Sequence, residues 1–472
     1  MRSVRFSPST IGSRLLPGRL AVRAEPWLLR LEELLLARDA RGEAGRNALL
    51  AFIIRVVNAA IAFLSQVLLA RWMGSFEYGI YVLVWVTMII LGNIACLGFH
   101  TSVIRYIPEY KAKQEYAELR GINRASRLFV LASSTAFALV GMLGIWAFEP
   151  VIESYYVVPF YLGLICLPMM ALSDLMQGVA RGNAWVVRAL LPAYFVRPIL
   201  ILVFMGVALL TGYAPDAKTA VVTAILATYV TTILQFLSIS ARVDRKLPPV
   251  KPVFRMREWT AVSLPIFLIE SFFFLLTNAD VLMVGRYMAP TDVAVYFATV
   301  KTLALVHFVY FAVKASVAQR YSAFMHGGDH AGLAAFARET VGWTFWPSLA
   351  MGVIVLILGK PMLMMFGEGF TDGYPLLFVL IGGVIARAAV GPAESLLTMS
   401  GHQKICALVY ALTLALNVAL NMLLIPLYGL WGAAAATGIA MVFEASALSF
   451  TAWRKLGIPM LIFLPSTKHE VA

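Results

Sequence analysis

Residues 71–81 read RWMGSFEYGIY, and residues 286–296, which lie 215 positions later, read RYMAPTDVAVY. The Arg, Met and Tyr positions are identical, an aromatic residue follows each Arg, and Glu77 is matched by Asp292. A second repeat at the same offset consists of Arg105-Tyr106 and Arg320-Tyr321. Each copy of the longer motif connects two apolar runs, which indicates a duplicated membrane-embedded unit of the kind found in transporters.

The composition predicts a membrane protein without enzymatic chemistry. Of 472 residues, 61% are hydrophobic and 13% are charged, whereas soluble domains carry about 25% charged residues. The three cysteines are too scattered for a disulfide framework or a zinc site. The sequence also lacks a phosphate-binding loop, a metalloprotease motif and a nucleophile elbow. We therefore expect no cofactor, no metal site and no enzyme activity.

Twelve apolar runs are long enough to cross a bilayer, which needs about 20 residues per helix. They are residues 47–70, 78–100, 128–148, 155–178, 189–211, 219–240, 262–285, 293–315, 340–366, 374–397, 405–425 and 432–453. The fold class predicted from them is an all-α polytopic membrane protein with about 12 transmembrane helices in two six-helix repeats.

The basic residues orient these spans. With the N-terminus inside, 29 of the 38 Lys and Arg residues fall in cytoplasmic segments and four in the opposite loops. This asymmetry follows the positive-inside rule, so both termini are predicted to be cytoplasmic. The net charge of +13 is thus explained by topology, and we expect no nucleic-acid partner.

The repeat and the spans define the predicted domains. The two repeats have the same orientation and are therefore parallel, joined by a basic, proline-containing linker that is interpreted as a hinge. The segments are a basic tail at 1–46, lobes at 47–240 and 262–455, the linker at 241–261 and a cytoplasmic tail at 456–472. The first tail is either poorly ordered or carries a short amphipathic helix on the membrane surface.

Charged residues at membrane depth are the candidates for function, because burying them costs at least about 2.5 kcal/mol each. The deepest cations are predicted to line a cavity that binds an anion, and they are Arg55, Arg197, Lys301 and Arg387. Arginine suits phosphate oxygens because its planar fork donates two parallel hydrogen bonds.

Three acidic residues are candidates for ion coupling or charge pairing: Glu270, Asp280 and Asp174. Arg55 and Glu270 occupy equivalent repeat positions, so they are predicted to pair across a central cleft. For Asp174, Asp280, Lys314 and Glu394, which lie near span ends, an interfacial anchor or a local ion pair is favoured.

The duplicated motifs are interpreted as gates rather than as the substrate site. The charge count places Arg71, Glu77, Arg286 and Asp292 in periplasmic loops, and Arg105 and Arg320 in cytoplasmic loops. The two sets are predicted to close opposite ends of the transporter.

The repeated motif and the segment 415–437, in which an Asn-rich helix ends in Ile425-Pro426 before a Gly-Ala-Ala helix, resemble the oligosaccharide flippases of the multidrug/oligosaccharidyl-lipid/polysaccharide exporter superfamily. The resemblance implies a V-shaped, two-lobed transporter in the bacterial inner membrane. It also implies flipping of a polyprenyl-diphosphate-linked oligosaccharide for surface polysaccharide such as lipopolysaccharide or exopolysaccharide.

The implied partners are the lipid-linked oligosaccharide, membrane lipids, a polysaccharide polymerase and glycosyltransferases. A cation-coupled multidrug exporter of the same superfamily is the alternative. An integral membrane enzyme is disfavoured, because the predicted outside loops are too short to hold a catalytic domain.

Overall fold

The computed structural model describes the backbone of residues 40–462 and the side chains from residue 57 to residue 462, except residues 58, 244, 246, 269, 273, 315, 319 and 326. Residues 1–62 and 63–472 form two units. In the first unit, the described backbone is helical from Ala40 onward. The predicted amphipathic helix in the 1–46 tail and the 456–472 tail beyond residue 462 lie outside the described residues.

Fourteen α-helices account for most of the described residues. They are α1 Ala40–Ala95, α2 Phe99–Ala112, α3 Tyr116–Phe148, α4 Ser154–Gly182, α5 Val186–Leu191, α6 Arg197–Leu210, α7 Ala217–Lys246, α8 Met256–Tyr287, α9 Pro290–Gly327, α10 His330–Met364, α11 Tyr374–Ala388, α12 Ala393–Met399, α13 Gln403–Tyr428 and α14 Leu430–Leu456. We call residue 63 to the end of α7 the first half and α8 to α14 the second half.

The number of spans differs from the prediction of twelve. Ten helices of the described chain are long and apolar enough to cross a membrane, and counting the bent helix α8 gives eleven. The difference arises mainly in α1, which contains two predicted spans and is interrupted only at Gly74, where φ is 77°. Glycine adopts this left-handed region at little cost because it has no Cβ. The all-helical polytopic architecture is confirmed.

Buried apolar side chains form three clusters along the bundle. The largest draws on both halves and includes Tyr78, Phe297, Phe366 and Phe370. We call its position the Arg71 end of the molecule, since residues 71–81 and 286–296 lie there. The other two clusters lie toward the opposite end, which we call the linker end. One belongs to the first half together with Trp259, and the other belongs to the second half.

The last part of the linker and the start of α8 pack against the first half. The amide of Val253 donates to the carbonyl of Ala117 at 3.0 Å, and Arg255 pairs with Glu118 at 2.8 Å. The fully buried Trp259 donates its ring N–H to the hydroxyl of Tyr110 at 2.8 Å. This part of the linker is therefore docked on α2 and α3, whereas the sequence suggested an extended hinge throughout.

Helix α8 bends inside the membrane-spanning region. Its segments Met256–Phe272 and Phe274–Tyr287 meet at an angle of 47°. The first segment contacts α2 through Trp259 and through Ser263, whose hydroxyl donates to that of Ser102 at 2.7 Å. The second segment carries Asp280, which accepts from Tyr296 of α9.

Candidate functional site

Arg197 begins α6 directly after a π-helical turn at Pro192–Val196. Its Nη2 donates to the hydroxyl of Ser173 in α4 at 2.7 Å, and that hydroxyl donates to the amide oxygen of Gln235 in α7 at 3.2 Å. The Nε atom of Arg197 is buried and has no hydrogen-bond partner among the described residues. The half-buried guanidinium therefore keeps donor capacity that the described side chains do not use.

Asp174 lies one residue beyond Ser173 on α4, so it belongs to the same polar region. It accepts a hydrogen bond from Gln177 at 3.1 Å. It is also within electrostatic reach of His100, Arg197 and Arg181. Asp174 is thus one member of an extended polar network in the first half.

Lys301 lies in α9, and its side chain is exposed. Its Nζ sits 4.7 Å from the centre of the Phe297 ring, and Asp280 is within electrostatic reach. No ion pair within 4 Å joins either Lys301 or Arg197 to a carboxylate in the part of the chain that the structure describes. Their charges are therefore not neutralised by direct contact with a carboxylate of the described residues.

Arg387 and Glu444 form a buried ion pair between α11 and α14. Arg387 is 9% exposed and Glu444 is 1% exposed, and the two charges are 3.0 Å apart. The guanidinium also lies 4.6 Å from the centre of the Tyr310 ring. Lys314 and Glu394 form a second ion pair nearby, between α9 and α12. The local ion pair favoured for Lys314 and Glu394 is confirmed, and the charge of Arg387 is compensated inside the second half.

Glu270 on α8 is held by two consecutive residues of α2. Both of its carboxylate oxygens accept from the hydroxyl of Thr101 at 2.9 Å, and Nε2 of His100 lies 3.3 Å from Oε2. The side chain of Arg55 is outside the described set, so its pairing with Glu270 stays a prediction. His100 and Thr101 are functional candidates that the sequence did not reveal, because their proximity to Glu270 depends on how α2 packs.

Asp280 is buried and hydrogen-bonded. It accepts from the hydroxyl of Tyr296 at 2.9 Å and from the amide of Val281 at 2.9 Å. The Tyr296 hydroxyl is in turn 3.3 Å from that of Thr437 on α14. The Asp280 carboxylate thus connects α8 to α9 directly and to α14 through Tyr296. The positive charge of Lys301 lies nearby and is opposite in sign to that of Asp280.

The first copy of the duplicated motif makes contacts between elements distant in sequence. Arg71 donates from Nε to the carbonyl of Met365 at 2.7 Å and from Nη2 to that of Met364 at 2.9 Å. These carbonyls end α10, where the helix dipole favours a cation. Glu77 accepts from the amide of Ala217 at 2.8 Å, at the start of α7. The halves are therefore connected by Arg71.

The second copy does not reproduce these contacts. The guanidinium of Arg286 lies 5.9 Å from the Tyr287 ring, and it has no carbonyl or carboxylate partner among the described residues. Asp292 lies in the first turn of α9 and is partly buried. The sequence repeat is thus more symmetric than the contacts that its residues make.

Helices cover the positions of Arg105 and Arg320, which the sequence predicts to lie in loops, and the gating role of these residues stays a prediction. Arg105 lies in α2, 3.8 Å from Glu109, and Arg320 lies in α9 over the Phe336 ring at 5.3 Å. The helices continue past the apolar runs because each still buries one apolar face, as α2 does with Phe99, Val103, Tyr106, Ile107 and Tyr110. Arg71 also lies in a helix, three residues before the break at Gly74.

Three comparisons place the chain among known proteins. The family described as "Polysaccharide biosynthesis protein" matches residues 44–318, more than half of the chain. Sporulation protein YkvU of Bacillus subtilis (strain 168) is 28% identical over 124 residues. The alignment spans 26% of this chain and 26% of that relative.

The fold has solved counterparts. An inward-facing multidrug resistance MATE family transporter of the MOP superfamily has a TM-score of 0.69 at 13% identity, covering 86% of this chain and 98% of its own. The lipid II flippase MurJ, in an inward closed conformation, has a TM-score of 0.66 at 16% identity, covering 86% and 87%. A MOP superfamily transporter from Pyrococcus furiosus Vc1 (DSM3638) has a TM-score of 0.61 at 15% identity, covering 90% and 97%.

These identities establish a shared fold, and the family assignment comes from the match over residues 44–318. The chain belongs to the polysaccharide biosynthesis protein family, and its fold is the one shared by the multidrug resistance MATE transporter of the MOP superfamily and the lipid II flippase MurJ.

Proposed function

We propose that this protein moves a polyprenyl-diphosphate-linked oligosaccharide across the bacterial inner membrane by alternating access, as a step in surface polysaccharide assembly. Membership of the polysaccharide biosynthesis protein family supports the pathway. The fold that the chain shares with the lipid II flippase MurJ supports a lipid-linked cargo. The substrate headgroup would enter between the two halves while its lipid tail stays in the bilayer.

The observation that carries this proposal concerns the cations predicted to line the cavity. Arg387 is paired with Glu444, whereas Arg197 in the first half and Lys301 in the second have no carboxylate within 4 Å among the described residues. A diphosphate carries negative charge on several oxygens, and both side chains donate hydrogen bonds to such groups. In this proposal they hold the diphosphate from opposite halves. Arg387 contributes through its ion pair with Glu444, which positions α11 and α14, and Arg55 remains a fourth candidate cation.

The magnitude of the expected effect follows from the type of bond. A hydrogen bond to a charged group contributes about 1.5–3 kcal/mol, and about 1.4 kcal/mol corresponds to a tenfold change in affinity. Removing either cation should therefore weaken binding by about tenfold to a hundredfold.

The test is complementation of a strain that lacks the gene. Arg197→Ala and Lys301→Ala should reduce surface polysaccharide and cause the lipid-linked precursor to accumulate, whereas Arg197→Lys and Lys301→Arg should retain more activity. Lys404→Ala, which removes an exposed cation in the first turn of α13, is the matched control. Normal surface polysaccharide in both alanine variants, at normal protein levels, would refute the role of these cations.

Coupling to an ion gradient is part of the proposal, with Glu270, Asp280 and Asp174 as candidate carriers. Asp280 is buried among hydroxyl groups close to Lys301, so a change in its charge would be felt at the proposed diphosphate site. Replacement of each acid by its amide, followed by flipping measured with and without an imposed gradient, tests this assignment. An amide variant that still responds fully to the gradient is not the carrier.

Both termini are proposed to lie in the cytoplasm, and reporter fusions at each end would test that orientation. A polysaccharide polymerase and glycosyltransferases are the proposed functional partners, and their genes are expected beside this one.

A multidrug exporter is the second candidate function, because the fold is shared with a multidrug resistance MATE transporter and the interior holds acidic residues. A drug-susceptibility panel on the deletion strain separates the two. Increased susceptibility with unchanged surface polysaccharide would favour the exporter.

A further inference from the structure

Glu270 fastens the end of the first segment of α8 to the first half by charge, as Arg255 does through Glu118 at the start of this helix. Its carboxylate accepts from Thr101 at 2.9 Å with both oxygens and lies 3.3 Å from Nε2 of His100. Other contacts along the same pair of helices are between neutral groups, such as Ser102 with Ser263 and Tyr110 with Trp259. The His100–Glu270 contact is therefore the one among these whose strength depends on protonation.

A strained break in the chain brings His100 to this position. Leu97 has a φ of 44° and Gly98 a φ of 78°, between the end of α1 and the start of α2. A Cβ on Gly98 would come 2.3 Å from the carbonyl oxygen of Ser263, so only glycine allows α2 to approach α8 this closely. A leucine in the left-handed region costs about 1–3 kcal/mol, which the surrounding packing must offset. The close approach is thus a built feature of the fold.

Along the chain, the bend of α8 comes directly after Glu270. The two segments of α8 meet between Phe272 and Phe274, so Glu270 is among the last residues before the change of direction. Toward the linker, α8 packs on α2, and beyond the bend Asp280 is bonded to α9 in the second half. The His100–Glu270 contact lies where α8 stops packing against the first half and begins to contact the other helices of the second half.

The charged and titratable groups around His100 come from four elements. Glu270 comes from α8, and Asp174 from α4 is within electrostatic reach. Arg197 of α6 and Arg181 of α4 act on Asp174 in turn. Cys96, which precedes α2, lies within electrostatic reach of both Asp174 and Glu270. The Nδ1 atom of His100 is buried and has no hydrogen-bond partner among the side chains that the structure describes. A protonated His100 would therefore be placed between two carboxylates.

We infer that His100 and Glu270 form a charge-dependent bridge that holds the first segment of α8 on the first half, and that this bridge breaks when α8 leaves that half during the transport cycle. The inference rests on the proposed alternating access. One proton is exchanged, between the His100 imidazole and water on the accessible side, and no other bond changes. Thr101 keeps Glu270 oriented while the charge of His100 sets the strength of the contact.

The sign of the pH dependence follows from the charges. Histidine side chains change charge between about pH 5 and 8. With the imidazole protonated and the carboxylate ionised, the bridge is an ion pair. Loss of the imidazole proton removes this attraction and favours release of the first segment of α8 from α2.

The experiment measures the distance between the first half and α8 in purified protein in lipid nanodiscs, without substrate. Spin labels are placed at Arg124→Cys on α3 and Arg257→Cys at the start of α8, both exposed, while the native Cys96, Cys166 and Cys406 are buried. In the otherwise unchanged protein, the short-distance population should shrink as pH is raised from about 5 to 8. In His100→Gln, which keeps a neutral N–H donor, the distribution should not change with pH.

Glu270→Gln should lose the pH dependence as well, whereas Thr101→Ala should keep it with a smaller short-distance population. His402→Gln, at a half-buried histidine of the second half, is the matched control and should behave as the parent. A distribution independent of pH in the parent, or an unchanged dependence in His100→Gln, overturns the inference. Because no sugar substrate is present, this result is independent of the complementation test, which addresses the proposed function.

Discussion

At the scale of single residues, the interior charges divide into those that are paired and those that are not. Arg387 and Glu444 neutralise each other inside the second half, whereas Arg197 and Lys301 have no carboxylate within 4 Å among the described residues. The two groups should respond differently to substitution. Loss of a paired charge should act on stability, and loss of an unpaired charge should act on transport.

The buried pair gives a direct prediction for stability. Arg387→Met and Glu444→Gln should each destabilise the protein by about 3–5 kcal/mol, since each leaves one buried charge without its partner. The double variant Arg387→Met/Glu444→Leu should recover most of this loss, because no charge remains buried. Thermal unfolding in detergent measures the effect. Lys113→Ala, in an exposed ion pair with Glu109, is the control and should unfold like the parent. Additive losses in the double variant would contradict the interpretation.

Sequence analysis identifies most of the interior charges but cannot match them with partners. Apolar run length and charge mark Arg387 as buried, but its partner Glu444 lies on a different helix. Glu270 similarly meets Thr101, which is 169 residues away. Such pairs are set by helix packing, which hydropathy does not encode. The same limit explains why His100 does not stand out in the sequence.

At the scale of elements, the helices follow the apolar runs, and the departures occur where the backbone is special. Helix α1 contains two predicted spans and is interrupted at Gly74, and α2 is a separate helix that occupies a predicted loop. Helix boundaries beyond the membrane depend on amphipathic packing rather than on apolar length. The span pattern is therefore predictable from the sequence, and the helical gate segments are not.

Gly79 tests how closely the helices must approach. A Cβ at this position would lie 1.7 Å from the carbonyl oxygen of Pro290, the first residue of α9. Gly79→Ala should therefore separate α1 from α9 and destabilise the protein by about 1–3 kcal/mol, as overpacking does. Gly206→Ala on α6 is the matched control, because no neighbouring group lies within 4 Å of where its added methyl would sit, and it should change stability by less than about 1 kcal/mol. Thermal unfolding and complementation measure both, and equal stability of the two variants would exclude the tight contact.

At the scale of the whole molecule, the two halves share a buried core at the Arg71 end and have separate clusters toward the linker end. The proposed transport by alternating access requires the shared core to open at another stage of the cycle. Arg71 makes polar contacts across that core. Arg286, the equivalent residue of the sequence repeat, lacks these hydrogen bonds among the described residues and therefore serves as an internal control.

Arg71→Ala should therefore loosen the Arg71 end, while Arg286→Ala should have little effect. Arg71 donates to two carbonyls at the end of α10, and alanine leaves both without this donor. Spin labels at Lys218→Cys and Lys360→Cys, exposed positions in the two halves, report the separation. Longer distances are expected in Arg71→Ala alone. Equal distributions in the two arginine variants would show that Arg71 does not hold this end closed.

The docked start of α8 has a consequence for exchanging parts between relatives. The sequence repeat begins anew near residue 262, but Val253, Arg255 and Trp259 are bound to the first half. A hybrid protein joined within the linker at residue 250 would pair these side chains with a foreign surface. A junction at the bend near residue 273 would transfer them together with the helices they recognise. The boundary of the sequence repeat and the boundary of the part that packs on the first half therefore lie at different residues.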